Sequence, residues 1–110
     1  MRMWNVDPKY MCRQHLLGEH VEMHMFVGII IKGTSLEGYI RGGLVEVHNI
    51  RKRHDELVAE MEKRGFKHHS PIPDNYRLKL IAGKVDAKRN AVDLINLWLG
   101  CRLEAEKYGR

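Results

Sequence analysis

The sequence is short of cysteine and contains no long hydrophobic run, no internal repeat and no low-complexity segment. Its two cysteines, Cys12 and Cys101, lack the spacing of a metal site or a redox motif, which predicts free, buried thiols in a reducing compartment. The longest apolar run, residues 25–31, is far shorter than the about 20 residues that a membrane-spanning helix requires. The first residues also lack the apolar stretch of a signal peptide. These absences predict a soluble, cytoplasmic protein with no membrane partner.

Positive charge is in excess and is unevenly distributed. The 110 residues carry a formal charge of +5, and the calculated pI is 9.4. Residues 67–110 contain nine Lys/Arg against five Asp/Glu, whereas residues 1–66 contain ten against nine. An anionic partner is therefore predicted, with nucleic acid favoured over a membrane surface. The length fits a single domain spanning residues 1–110, and we expect a monomer.

Hydrophobic periodicity predicts three helices. The first is predicted over residues 8–32, the second over about 44–64, and the third from Asp86 as N-cap to about residue 108. The glycine-rich residues 33–43 and residues 67–75 are typical of loops. The predicted fold class is therefore all-α, a compact domain of three helices with long connecting loops.

One face of the first helix carries polar groups where a core stripe is expected. His15, Glu19, Glu22 and Phe26 follow each other at i, i+4, i+7 and i+11, so an imidazole, two carboxylates and an aromatic ring share this face. Such a ridge of titratable groups is a candidate for acid–base chemistry.

The residues before this helix bring a second reactive group into range. Asp7 and Pro8 are typical of an N-cap and a first helical position. In an unbroken helix, Glu22 lies about 21 Å beyond Pro8, and the six preceding residues reach about 20 Å when extended. An arm that doubles back along the helix could thus bring the α-amine of Met1 to Glu22. A typical α-amine has a pKa of about 7.7–8.0, so about a tenth is neutral at pH 7, which makes it a better nucleophile than lysine.

Two blocks of sequence resemble the pyrimidine-dimer DNA glycosylases of the endonuclease V type encoded by T-even phages. The first block is Gln14-His15-Leu16-Leu17-Gly18-Glu19 followed by Glu22, and the second is Arg51-Lys52-Arg53 followed by Glu56-Leu57-Val58-Ala59-Glu60 and Lys63-Arg64-Gly65-Phe66. The similarity covers residues 1–33 and 44–66. The first block is fairly specific, whereas the second alone is a common amphipathic-helix pattern.

The resemblance implies a DNA glycosylase with AP lyase activity that needs no metal or other cofactor. The implied partner is double-stranded DNA with damaged pyrimidines. The resemblance also implies that the protein is phage-encoded and acts in the host cell. Matched by position, the nucleophilic amine falls on Met1, the catalytic glutamate on Glu22, the active-site histidine on His15, the substrate-contacting glutamine on Gln14 and the N-terminal arginine on Arg2.

This chain departs from the family pattern beside the catalytic glutamate. The two arginines that grip the lesion's phosphates in the phage enzymes correspond to Val21 and Met25. Charge-assisted contacts to phosphate are strong, so their loss must be compensated or the preferred lesion must differ. Arg13, Lys88 and Arg89 are the candidate replacements.

Alternative interpretations remain open. His15, His20 and His24 with Glu19 and Glu22 could ligate a metal, but the order of these residues is not the His-Glu-x-x-His of zinc hydrolases and no cysteine pair supports a site. We therefore predict no metal site and expect His20 and His24 to be partly exposed helix residues without chemistry. Trp4 and Trp98 are predicted core residues. A different class of function is a non-catalytic basic DNA-binding helical module, which the loss of the two arginines favours. The preferred lesion is not determined by the sequence.

Overall fold

The computed structural model describes residues 1–67, 71–72 and 82–96 of the chain. Within these ranges the secondary structure is helical and contains no strand, which confirms the all-α prediction. The helices are α1 (Arg13–Ile31), α2 (Glu37–Arg41), α3 (Ile50–Lys63) and α4 (Ala87–Asn96), and 3₁₀ turns cover Pro8–Tyr10 and Val47–Asn49. No helix among the described residues is both long and apolar enough to cross a membrane.

The first helix begins five residues later than predicted. Asp7 does act as an N-cap, since its side chain accepts a hydrogen bond from the backbone two residues on, but it caps only a 3₁₀ turn. Met11 and Cys12 follow in extended conformations, and both side chains are buried. Arg64 of the loop after α3 stabilises this break, because its guanidinium donates to the carbonyls of Pro8 at 3.0 Å and Met11 at 2.7 Å. In an unbroken helix these carbonyls would accept hydrogen bonds from the backbone N–H groups four residues on instead of from Arg64.

The N-terminal arm, residues 1–6, runs antiparallel beside α1. The backbone N–H of Arg2 donates to the carboxylate of Glu22 at 3.2 Å, and that of Trp4 donates to Glu19 at 3.2 Å. A step of two residues along the arm therefore corresponds to a step of three residues back along the helix. The arm doubles back as the reach argument predicts, although the helix itself starts later.

Helix α1 packs against α3, and the N-terminal arm covers the same core. The buried apolar side chains of these three segments are Met3, Trp4, Leu16, Met23, Phe26, Val27, Ile50, Leu57 and Met61. Burying a side chain of this size contributes about 1.5–3 kcal/mol. Trp4 is thus a core residue, as predicted. The arm is held by the same hydrophobic interactions that hold the helices together.

The second predicted helix begins six residues late, at Ile50. Residues 44–46 are not helical, because they lie between the N-terminal arm and the segment before α4. The carboxylate of Glu46 accepts a hydrogen bond from the N–H of Val85 at 2.8 Å. Gly83 allows the close approach, since its φ is +91° and a Cβ atom there would overlap the carbonyl oxygen of the residue before Glu46. These tertiary contacts outweigh the local helical pattern.

The remaining boundaries follow local signals. The glycine-rich residues 33–43, predicted as a loop, contain the five-residue helix α2, which is too short for a periodic pattern. Helix α4 begins directly after Asp86, as predicted, and the carboxylate of Asp86 accepts a hydrogen bond from the N–H of Arg89 at 3.0 Å. Gly65 follows the C-cap of α3 with a φ of +85°, a left-handed conformation that commonly ends helices, and the second helix ends near residue 64 as predicted. The predictions for Trp98, Cys101, the end of the third helix and most of residues 67–75 lie outside the described residues.

Candidate active site

The N-terminal amine and a helix carboxylate form the centre of the candidate site. The α-amine of Met1 lies 3.6 Å from Oε1 of Glu22, and the same oxygen accepts a hydrogen bond from the N–H of Arg2. The Met1 and Glu22 side chains are 11% and 27% exposed, so the pair lies at the edge of the core, where a ligand can reach it. A potential nucleophile is thus adjacent to a group that can accept or release a proton.

His15 lies on the same face of α1 as Glu22, close to the start of the helix. Its Nδ1 is 3.0 Å from Sγ of Cys12, and its ring packs edge-on against Trp4 with the ring centroids 5.9 Å apart. Burial lowers the pKa of His15 below its ordinary value of 6.5, and the negative charge of Glu22 opposes this effect only in part. The imidazole is therefore mainly neutral at pH 7 and able to accept a proton.

The titration of His15 gives a direct test of this electrostatic environment. We expect its pKa to lie below 6.5. In Glu22→Gln the pKa should fall further, because the substitution removes the negative charge that favours the imidazolium. Two-dimensional NMR of the imidazole carbons and protons measures both values, with His15→Gln to assign the resonance among the seven histidines. A pKa above 6.5, or an upward shift in Glu22→Gln, contradicts this account.

The ridge predicted on α1 is divided between the surface and the core. Phe26 is fully buried and packs edge-on against Tyr39, with the centroids 5.2 Å apart. Glu19 is 1% exposed and accepts two hydrogen bonds from Arg53, at 2.6 Å from Nε and 2.8 Å from Nη2. Only the outer residues, His15 and Glu22, remain available to a ligand. Glu19 instead joins α1 to α3 and anchors the N-terminal arm through Trp4.

Arg2 positions the arm against α4. Its guanidinium carbon lies 3.9 Å from the centre of the Trp4 ring, and its Nη2 hydrogen-bonds to Oδ1 of Asn90 and lies 3.5 Å from Oδ2 of Asp93. The side-chain amide of Asn90 also donates to the carbonyl of Trp4 at 2.9 Å. Sequence reasoning missed Asn90 and Asp93. Their spacing of three residues was the available signal, because i and i+3 share a helix face.

The other four predicted DNA contacts are exposed and belong to two helix starts. Arg13 and Gln14 are exposed in the first turn of α1 beside His15. The Arg13 guanidinium carbon lies 5.6 Å from the centre of the Phe66 ring. Lys88 and Arg89 are exposed in the first turn of α4, the helix that contacts Arg2.

Two exposed apolar side chains flank Glu22. Val21 is 54% exposed and Met25 is 49% exposed, and they are spaced four residues apart on α1. Residues at this spacing are neighbours on a helix surface. The surface beside the carboxylate is thus apolar rather than cationic.

A helical fold, an amine beside a carboxylate and exposed cations on two helices together fit a DNA glycosylase. The model of the pyrimidine dimer DNA glycosylase family matches residues 1–74. The chain therefore belongs to this family, which implies DNA as its substrate. The matched region contains Met1, His15 and Glu22 and ends before α4. Comparisons with curated proteins and with solved structures found no match to the chain.

Proposed function

We propose that this glycosylase also has AP lyase activity and that it uses the α-amine of Met1 as its nucleophile on duplex DNA. The observation that supports this most directly is the 3.6 Å separation of that amine from Glu22. Base release and strand cleavage then occur at one site, in a protein that acts as a monomer.

The first step exchanges one bond at the damaged nucleotide. The neutral amine of Met1 donates its lone pair to C1′, the glycosidic bond breaks, and the departing base takes the bonding electrons. The amine passes one proton to Glu22, which returns it to O4′ as the sugar ring opens, while the departing base takes a proton from water. A protonated Schiff base between the enzyme and C1′ remains, and Glu22 is again a carboxylate. Glu22 stabilises the cationic sugar through its negative charge and accepts the proton from the amine.

The second step cuts the strand. A proton leaves C2′, the electron pair shifts to form a double bond, and the C3′–O bond breaks with the phosphate as leaving group. Glu22 accepts the C2′ proton, and the neutral imidazole of His15 assists proton transfer. Water then hydrolyses the Schiff base, which restores the amine and releases the DNA end.

The surface around the site supports binding to the DNA backbone. Arg13, Gln14, Lys88 and Arg89 are exposed and contact phosphates or bases in this proposal, while Arg2 fixes the arm and presents part of its guanidinium to the DNA. Access to C1′ requires a nucleotide to leave the stack, at a cost of a few kcal/mol that is lowest at damaged sites.

Borohydride trapping tests the proposal. Untagged protein, with Met1 verified as its first residue by mass spectrometry, is incubated with borohydride and a duplex containing a thymine dimer, an abasic site or no lesion. We expect a covalent adduct on the two damaged duplexes, located at Met1 by peptide mapping. A version with one additional residue before Met1 should still bind DNA but give no adduct, because its amine is displaced from Glu22.

Each alternative has its own result. An adduct on a lysine, or an undiminished adduct in the extended protein, contradicts the role of Met1. An adduct on the abasic duplex alone contradicts initiation at dimers. DNA binding without any adduct overturns the lyase proposal, and if no base is released either, the result supports a non-catalytic helical DNA-binding module.

A further inference from the structure

Three histidines meet on the flank of α1 that faces away from Glu22. His20 and His24 are one turn apart on α1, and His54 comes from α3. One ring nitrogen from each lies within 4.8 Å of the other two, and Nε2 of His24 is 3.1 Å from Nε2 of His54. His20 and His54 are 8% and 2% exposed, so both are buried, which corrects the expectation that His20 is partly exposed. The helix packing thus gathers three imidazoles from distant positions in the sequence.

We propose that His20, His24 and His54 bind a divalent transition-metal ion, with Zn²⁺ as the favoured ion. Three imidazole nitrogens without a thiolate suit Zn²⁺, Cu²⁺ or Ni²⁺. Zinc–nitrogen bonds of about 2.0–2.1 Å in a tetrahedral site place the ligand nitrogens about 3.3–3.4 Å apart. The 3.1 Å between the Nε2 atoms of His24 and His54 is close to this value. Small side-chain rotations would bring the ring nitrogen of His20, now within 4.8 Å of the other two, to the same distance. Three protein ligands leave a fourth position for water.

The environment of His54 favours this use of its ring. Its Nδ1 lies 2.9 Å from Oδ1 of Asp55. A carboxylate in this position holds the proton on Nδ1 and leaves the lone pair of Nε2 directed towards His24. Metal-binding histidines typically have such a carboxylate partner, which orients the ring and increases its basicity.

The position of the cluster separates the ion from the proposed chemistry at Met1 and Glu22. Glu22 is two residues from both His20 and His24, which on a helix is a rotation of about 200°. The ion would link α1 to α3 without facing the Met1 amine. Because the site exists only in the folded chain, metal binding should add to the free energy of unfolding. The proposal is therefore independent of the lyase mechanism.

Metal titration of untagged, chelator-treated protein tests the site. We expect one Co²⁺ per chain with the visible absorption of tetrahedral nitrogen coordination, and displacement of Co²⁺ by one equivalent of Zn²⁺. Zinc at about 100 times its Kd should raise the Tm by roughly 10 °C. His24→Gln and His54→Gln should each weaken metal binding by at least about 10-fold. His48→Gln, which changes an exposed histidine on a 3₁₀ turn, is the matched control and should leave binding unchanged.

Several results would overturn this inference. They are the absence of Zn²⁺ binding, octahedral coordination of Co²⁺, or equal binding in His24→Gln, His54→Gln and the control. If one cluster variant does not fold, the other decides the outcome, since circular dichroism establishes folding before titration. Borohydride trapping should be the same with and without Zn²⁺, so failure of the metal site leaves the lyase proposal intact, and the converse also holds.

Discussion

Replacing Glu22 by Gln is expected to lower strand cleavage at abasic sites about 10²-fold to 10⁴-fold, the usual contribution of a positioned acid–base group. Glutamine keeps the size of the side chain and can still accept the hydrogen bond that the N–H of Arg2 gives to Glu22. It cannot take a proton from Met1 or from C2′. Single-turnover cleavage of a labelled duplex measures the loss, and DNA affinity should change little.

The matched control for Glu22→Gln is Glu37→Gln on α2. Glu37 is 64% exposed and pairs with Arg41 on its own helix, so the substitution removes one negative charge from the surface. Its cleavage rate should stay within about twofold of the wild-type rate. Equal losses in the two variants would attribute the effect to net charge. An unimpaired Glu22→Gln enzyme would show that another group moves the protons.

The approach of Met1 to Glu22 follows from sequence, because it depends on chain reach and on a helix signal. The extended length of six residues and the Asp7–Pro8 turn are local properties. The predicted helix start was wrong. Burial of Met11 and the hydrogen bonds from Arg64 favour an extended conformation at Met11 and Cys12 over a continuous helix from Pro8. The arm still returns along α1, since its hydrogen bonds to Glu19 and Glu22 and the burial of Trp4 fix its course.

The functions of residues that meet across two helices were harder to predict from the sequence. Periodicity places His20 and His24 on one face but does not show that α3 supplies His54 opposite them. The same limit explains why Glu19 was grouped with the catalytic ridge. Its partner, Arg53, lies in a run of three basic residues that resembles a phosphate-binding patch, and only the packing of α3 on α1 buries this one arginine. A helical pattern defines faces, but the partner of each face is a tertiary property.

Breaking the buried pair of Glu19 and Arg53 should strongly destabilise this packing. Arg53→Met is expected to lower the free energy of unfolding by about 3–5 kcal/mol at neutral pH, because it leaves the Glu19 carboxylate buried without its cation. Lys52→Met removes an exposed positive charge from the preceding position on α3. This control should change stability by less than about 0.5 kcal/mol. Urea unfolding measures both variants.

The pH dependence of the loss in unfolding free energy in Arg53→Met identifies the cause of that loss. Burial raises the pKa of Glu19, and the hydrogen bonds and charge of Arg53 oppose this increase. Without Arg53 the folded-state pKa of Glu19 rises further above the value of about 4.3 in the unfolded chain. The folded state then holds the proton more tightly, so stability decreases as the pH rises through the interval between the two pKa values. The deficit should be smaller at pH 5 than at pH 8. Adding Glu19→Gln should restore part of the lost stability and remove this pH dependence, whereas a deficit that is constant with pH would indicate lost packing of the arginine stem instead.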